Sequence, residues 1–213
     1  MAIDIVVTSV DHFQYAEKIC SIIVEAAKKR GTGIAKRTPE YIREKMEQGK
    51  AVIALEKHVV AGFCYIESWG GKQYVAHSGL IVAPEFQGKG LAKKIKKEIF
   101  KLSQKLYPNA KIFGITTSLA VMKINSNLGY KPVTFSELTD DEAFWKGCQG
   151  CVNYDILQRT NRSHCLCTGM LHIPETEVKK QDEGEKSERW GKFKRFMKYK
   201  KIKVKRKLLS VVL

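Results

Sequence analysis

A mixed α/β domain of the α+β kind, with helices covering a largely antiparallel sheet, is what this chain predicts. Three observations carry that reading. Apolar residues recur at period two in some stretches and at helical spacing in others. Their order is strand, helix, helix, three strands, helix, strand, helix and two strands. Strands that follow one another through short turns belong in antiparallel hairpins. The hydrophobic content of 44% over 213 residues is that of an ordinary folded protein, enough for one principal domain and an appendage.

The elements follow in order. Ile3, Ile5 and Val7 alternate, so a first strand spans 3–10 and turns at Asp11. Ala16, Ile19, Ile23 and Ala26 recur at helical spacing over 13–29, and Gly31 and Gly33 end that helix. Thr38-Pro39-Glu40 combines an N-cap, a first-turn proline and an early acid, opening a helix that stops at Gly49. Residues 51–56 and 59–69 form a hairpin about Lys57-His58, and Gly70-Gly71 turns into a strand over 74–82. A long helix covers 91–106 and closes at Tyr107-Pro108-Asn109. A strand over 112–117 and a helix over 119–128 follow, with Gly129 as C-cap. Residues 133–135 and 152–157 read as closing strands. The expected organisation is a domain over 1–158, a Cys-rich closing segment over 159–178, and a basic tail over 179–213. Apolar periodicity gives way to a charged linker near Pro174.

The net charge of +16 resembles a nucleic-acid footprint, but it is unevenly spread. From Lys179 onward there are 14 Lys/Arg against 4 Asp/Glu, so the tail carries most of the excess. Trp190, Phe193 and Met197 sit at helical intervals there, which fits weak contact with anionic lipid or nucleic acid, or a loose basic extension. No apolar run of about 18 residues predicts a transmembrane helix. The N-terminal residues lack a basic stretch before an apolar one, so the expected location is cytoplasmic.

Leu80-Ile81-Val82-Ala83-Pro84-Glu85-Phe86-Gln87-Gly88-Lys89-Gly90-Leu91-Ala92 carries the most chemistry. A strand feeds a helix N-terminus through a glycine turn, where unpartnered amides and the helix dipole favour a phosphate. A dinucleotide fingerprint needs three glycines and an acid about 20 residues on, and a Walker A loop needs Gly-Lys-Ser/Thr. Neither is present. The bland alternative is a tight strand-to-helix connection without a ligand.

Gln87-Gly88-Lys89-Gly90-Leu91-Ala92 resembles the Gln/Arg-x-x-Gly-x-Gly/Ala signature of GNAT-type acyltransferases. Leu80-Ile81-Val82-x-Pro84 looks like that family's fourth strand, and Asn125-Ser126-Asn127-Leu128-Gly129-Tyr130 like its helix followed by Leu-Gly-aromatic. The resemblance spans residues 3–157 and extends to GNAT proteins that acylate amino acids, glutamate among them, at the head of arginine synthesis. It implies acetyl-CoA or another acyl-CoA, such as succinyl-CoA, as donor, held by Ile81, Val82, Gln87, Gly88, Lys89, Gly90, Leu91, Ala92 and Asn125. A backbone N–H near Val82 would polarise the thioester carbonyl. Many members carry a tyrosine acid where this chain has Asn125, which can hydrogen-bond a thiolate or anchor CoA but cannot protonate it.

Two residues are candidate bases for the acceptor amine. His77 lies on the fourth strand, with an ordinary pKa near neutrality, and is otherwise a neutral core histidine. Glu67 lies on the neighbouring strand and is otherwise a solvated carboxylate opposite Lys72. In the family the loop between the first two helices lines the acceptor site. Here it holds Arg30 and Arg37, whose guanidinium forks suit the carboxylate of a small acidic amino acid. A solvated basic loop is the alternative.

Cys148-Gln-Gly-Cys151 and Cys165-Leu-Cys167 form two close pairs that suit a structural Zn²⁺ site, with His164 or His172 able to replace one thiolate. Free thiols, a redox pair and an iron–sulfur site are the alternatives. Cys20 and Cys64 read as core.

Overall fold

The computed structural model describes residues 3–30, 37–177 and 189–195. Two compact units divide at Ile173/Pro174. The first is built on a seven-stranded sheet: β1 (Asp4–Val7), β2 (Ala51–Glu56), β3 (Val59–Trp69), β4 (Tyr74–Val82), β5 (Lys111–Thr116), β6 (Lys131–Val133) and β7 (Thr168–His172). Their order across the sheet is β1-β2-β3-β4-β5-β7-β6, and every adjacent pair is antiparallel except β4–β5. The helices are α1 (Ala16–Arg30), α2 (Pro39–Glu47), α3 (Leu91–Leu106), α4 (Leu119–Ser126), α5 (Glu142–Lys146) and α6 (Tyr154–Arg159). In the second unit, residues 189–195 are helical, with the rings of Trp190 and Phe193 stacked 5.5 Å apart. The basic run beyond them, the linker over 178–188, and Gly31 and Gly33 lie outside the described residues. Among those described, no helix is long and apolar enough to cross a membrane.

Side-chain alternation assigns the two faces of the sheet. His77, paired with Ile66, meets Ser103 of α3, whereas Glu67 and Tyr65, one step out of phase, meet Tyr41 of α2. α2 and α3 therefore cover opposite faces. α3 buries Leu91, Ile95, Ile99 and Phe100 against β2, β3 and β4. The approach is closest at Gly62, where a Cβ would lie 2.5 Å from Ile95 Cδ1 and 2.8 Å from the Ile81 carbonyl oxygen. The second of these is backbone and cannot swing away. Gly62→Ala should therefore destabilise the domain by about 1–3 kcal/mol, the usual cost of overpacking, read as a lower denaturation midpoint with unchanged slope.

Two expectations are corrected. Residues 152–157 are not a strand: Tyr154–Arg159 is helix α6, with Leu157 buried inward. The last strand is β7, which lies between β5 and β6, so the Cys-rich segment is no appendage to a finished sheet. The stretch 134–167, carrying α5 and α6, is a long excursion between β6 and β7. It packs a second apolar cluster around Phe113, Phe135, Trp145 and Leu157.

Candidate active site

The site begins with a break in the sheet. β4 and β5 pair only over Tyr74–Ala76 and Lys111–Phe113. Beyond these, β4 stays with β3 and β5 stays with β7, so a wedge opens between them. A bulge adds to it, because Gly79 and Leu80 together oppose Cys64 alone. Gly79 has φ +63°, and a Cβ there would meet the Tyr65 ring at 2.4 Å, so the bulge requires glycine. The Ala83 N–H donates to the Ala61 carbonyl (2.9 Å). Alternation along the ladder then turns the N–H and C=O of Val82 away from β3, toward the wedge. Its carbonyl accepts from Gln87 Nε2 at 3.1 Å. Ile81, one residue earlier, is core.

At the end of β4 the chain passes through a 3₁₀ turn, Pro84–Phe86, and reaches α3 at Gly90. Gly88 and Gly90 have φ +78° and +73°, and a Cβ on either would meet no atom within 4 Å. The open space above them faces the first turn of α3, whose amides lack intrahelical partners. Leu91 anchors the turn in the core, Ala92 is half-buried, and Lys89 Nζ lies 5.7 Å from the Phe86 ring centroid. This arrangement fits a diphosphate.

A cavity of about 650 Å³ occupies the wedge. On the α2 face, both oxygens of Glu67 accept hydrogen bonds, one from the Tyr41 hydroxyl and one from Ser78 Oγ (2.9 Å). Arg37 Nε donates to the Tyr65 hydroxyl at 2.5 Å, and the guanidinium lies 5.2 Å from the Tyr41 ring centroid. Burial, with the bond to Glu67 and its charge, pushes the Tyr41 phenol well above its ordinary value. Burial also raises Tyr65, although Arg37 opposes the rise. Both phenols are neutral at neutral pH.

On the α3 face, His77 is fully engaged. Nε2 meets Ser103 Oγ at 2.7 Å, and Nδ1 meets the Tyr130 hydroxyl at 3.2 Å. Burial first, then the charges of Lys96 and His172, hold its pKa well below the ordinary value. His77 is thus a satisfied, half-buried histidine rather than a base for an amine on the other face. Asn125, on α4, is 1% exposed, and among the described residues its Oδ1 has no hydrogen-bond partner. Its backbone carbonyl accepts from Leu128 and Tyr130, which folds the Leu-Gly-Tyr corner beneath it.

Residues 17–119, just under half of the chain, match the sequence profile of the acetyltransferase (GNAT) family, a family of acyl-CoA-dependent N-acyltransferases. Over this stretch the chain is similar to GNAT acetyltransferase domains. No match to a curated protein sequence is found. Among solved structures, the chain is similar to N-acetylglutamate synthase from Neisseria gonorrhoeae complexed with coenzyme A and N-acetyl-glutamate. That similarity has 14% identity and a TM-score of 0.58, over 82% of this chain and 35% of that one. The chain thus spans about a third of that protein's length. It is also similar to a putative acetyltransferase from Salmonella typhimurium with acetyl-CoA, at 15% identity and TM-score 0.56, covering 81% of this chain and 94% of that one. A third is diaminobutyrate acetyltransferase from Paenibacillus lautus in complex with L-2,4-diaminobutyric acid and coenzyme A. It has 8% identity and TM-score 0.54, covering 81% and 95%. These likenesses are of fold.

The matched stretch contains the glycine turn, Glu67 and Arg37, while Asn125 and the four clustered cysteines lie beyond it. Arg30 ends α1, and its side chain is outside the described residues. Cys148, Cys151, Cys165 and Cys167 are free thiols that gather on the cavity wall. Burial first, then the neighbouring thiols, push Cys148 up to about 11 and Cys167 up to about 12. Yet among the described residues no three His, Cys, Asp or Glu are arranged to hold a metal ion, so the zinc expectation finds no support. His164 is exposed and turned to Ser163, and His172 packs on Phe100, so neither completes a set.

Sequence reading missed Tyr41, Tyr65, Ser78 and Lys96. The first three have no local signature: packing of α2 on the sheet brings Tyr41 to Glu67, the β3–β4 pairing brings Ser78 to it, and Tyr65 meets Arg37 from 28 positions away. Lys96 had one: it stands three and four residues before Ile99 and Phe100, on the inner side of α3.

Proposed function

We propose that the chain is an acyl-CoA-dependent N-acyltransferase that passes an acetyl or succinyl group to the amine of a small acidic amino acid such as glutamate. The observation carrying this reading is the wedge, with a glycine cradle at one end and a carboxylate held by two hydroxyls on its α2 side. When bound, an acyl-CoA supplies a thioester carbonyl that an amine can attack. The amides of residues 88–92 hold its diphosphate, and the inward N–H of Val82 polarises the carbonyl. Glu67, kept in place by Tyr41 and Ser78, takes the proton that the amine loses. Arg37, braced by the Tyr65 hydroxyl and two aromatic rings, binds the acceptor's side-chain carboxylate. Asn125 orients the sulfur end of the donor by hydrogen bonding.

Arg37→Gln tests the acceptor. A charge-assisted hydrogen bond contributes about 1.5–3 kcal/mol, so KM for glutamate should rise roughly tenfold to a hundredfold, against little change for a neutral amino acid. An equal loss for both acceptors would rule out an acidic one.

A further inference from the structure

The mechanism above leaves Lys96 unused. It lies in the second turn of α3 and is 2% exposed, yet it lines the cavity. Among the described residues no carboxylate pairs with it. The titratable groups facing it are Cys64 from β3, His77 from β4 and Tyr130 after α4, whose ring centroid is 5.3 Å from Nζ; His172 of β7 stands behind His77. A buried ammonium without a counter-charge is costly, so its retention calls for a negative charge that arrives during function.

Lys96 faces Cys64, whose Sγ donates to the Ser78 carbonyl at 3.4 Å next to the β4 bulge. A donor running from the glycine cradle past Val82 brings its sulfur to that part of the wedge. We infer that Lys96 is the acid that protonates the departing CoA thiolate, a role resting on the acyltransferase reading. The amine nitrogen bonds to the carbonyl carbon, and its displaced proton goes to Glu67. The carbon–sulfur bond breaks with its electron pair on sulfur, which takes a proton from Nζ and leaves Lys96 as a neutral amine. Solvent returns a proton to Lys96 and removes the one on Glu67. A cation already in place where negative charge develops is the arrangement that lowers such a barrier.

The rivals fall short. Asn125 also lines the cavity, but it can only hydrogen-bond and cannot act as an acid. Burial raises the Tyr130 phenol well above its ordinary 10, whereas burial lowers Lys96 to about 8, making it the stronger acid. His77 is held neutral.

Lys96→Met in the full chain tests this by two readouts. The first is the ultraviolet pH titration of the thiol of bound CoA, taken as the difference from bound desulfo-CoA. The thiol should ionise at least tenfold more readily in the wild-type protein than in the variant. The second is turnover: kcat should fall roughly a hundredfold with KM for acyl-CoA unchanged. That deficit should shrink when the donor is a thioester of a more acidic thiol. The decline of wild-type kcat above about pH 8, as Lys96 loses its proton, should vanish in the variant. Identical thiol titrations, or an equal deficit for both leaving groups, would overturn the proposal. So would a change confined to preference between acetyl- and succinyl-CoA, which would make Lys96 a ligand of the acyl chain. Failure of the wild-type protein to bind CoA would instead remove the acyltransferase reading, and this inference with it.

Discussion

Glu67→Gln should lower kcat roughly a hundredfold to ten-thousandfold while leaving the fold and the KM for acyl-CoA intact. The substitution keeps the shape of the side chain. Its amide can still accept from one of Tyr41 and Ser78, and the other hydroxyl can turn to accept from the amide. What is lost is the capacity to hold a proton. The ratio of variant to wild-type rate should therefore rise with pH, as more of the acceptor enters already as free amine. Equal rates across the pH range would show that Glu67 only organises the α2 side of the wedge. His77 serves as the contrast, because both of its ring nitrogens are occupied on the other face.

Gly90→Ala separates a binding cradle from a mere turn. Its φ of +73° makes any side chain there strained, at about 1–2 kcal/mol. Among the described residues no atom beyond its chain neighbours lies within 4 Å of its missing Cβ, so no clash adds to that cost. Stability should fall modestly, whereas KM for acyl-CoA should rise by up to about a hundredfold. That is the size of effect expected when one or two charge-assisted hydrogen bonds to the diphosphate are lost. Gly79→Ala is the opposite case, because there the methyl group would meet the Tyr65 ring and the damage should be to folding. A Gly90→Ala protein that melts earlier but binds acyl-CoA normally would leave the turn without a ligand.

Much of the fold was legible wherever the chain marks its own boundaries. α3 was read to the residue, since Gly90 opens it, Tyr107-Pro108 closes it, and the apolar positions between them keep helical phase. The β2–β3 hairpin declared itself by a two-residue turn, with Lys57 at φ +57°. Where the chain gives no punctuation, the reading failed. Val152-Asn153-Tyr154-Asp155-Ile156-Leu157 is a short apolar run that fits strand or helix equally, and packing of Leu157 into the second cluster decides for helix. β7 was invisible because Thr168-Gly169-Met170-Leu171-His172 has little pattern of its own; it is a strand because β5 and β6 flank it. The site divides in the same way. The glycine cradle is a local feature and could be read locally. The Tyr41–Glu67–Ser78 and Arg37–Tyr65 contacts join residues 11 to 28 positions apart and exist only after the sheet has formed. Lys96 is marked by helical phase, three and four residues before Ile99 and Phe100, whereas composition alone does not distinguish a buried lysine from a solvated one.

The central claim is that the wedge delivers an acyl-CoA to an amine held beside Glu67. Release of free CoA thiol from acetyl-CoA and succinyl-CoA, measured across a panel of amino acids with glutamate among them, tests it most directly. The account predicts saturable, amine-dependent thiol release that is greatest with an acidic amino acid, with one N-acyl product formed per thiol. Tight CoA binding without turnover on any amine would contradict it.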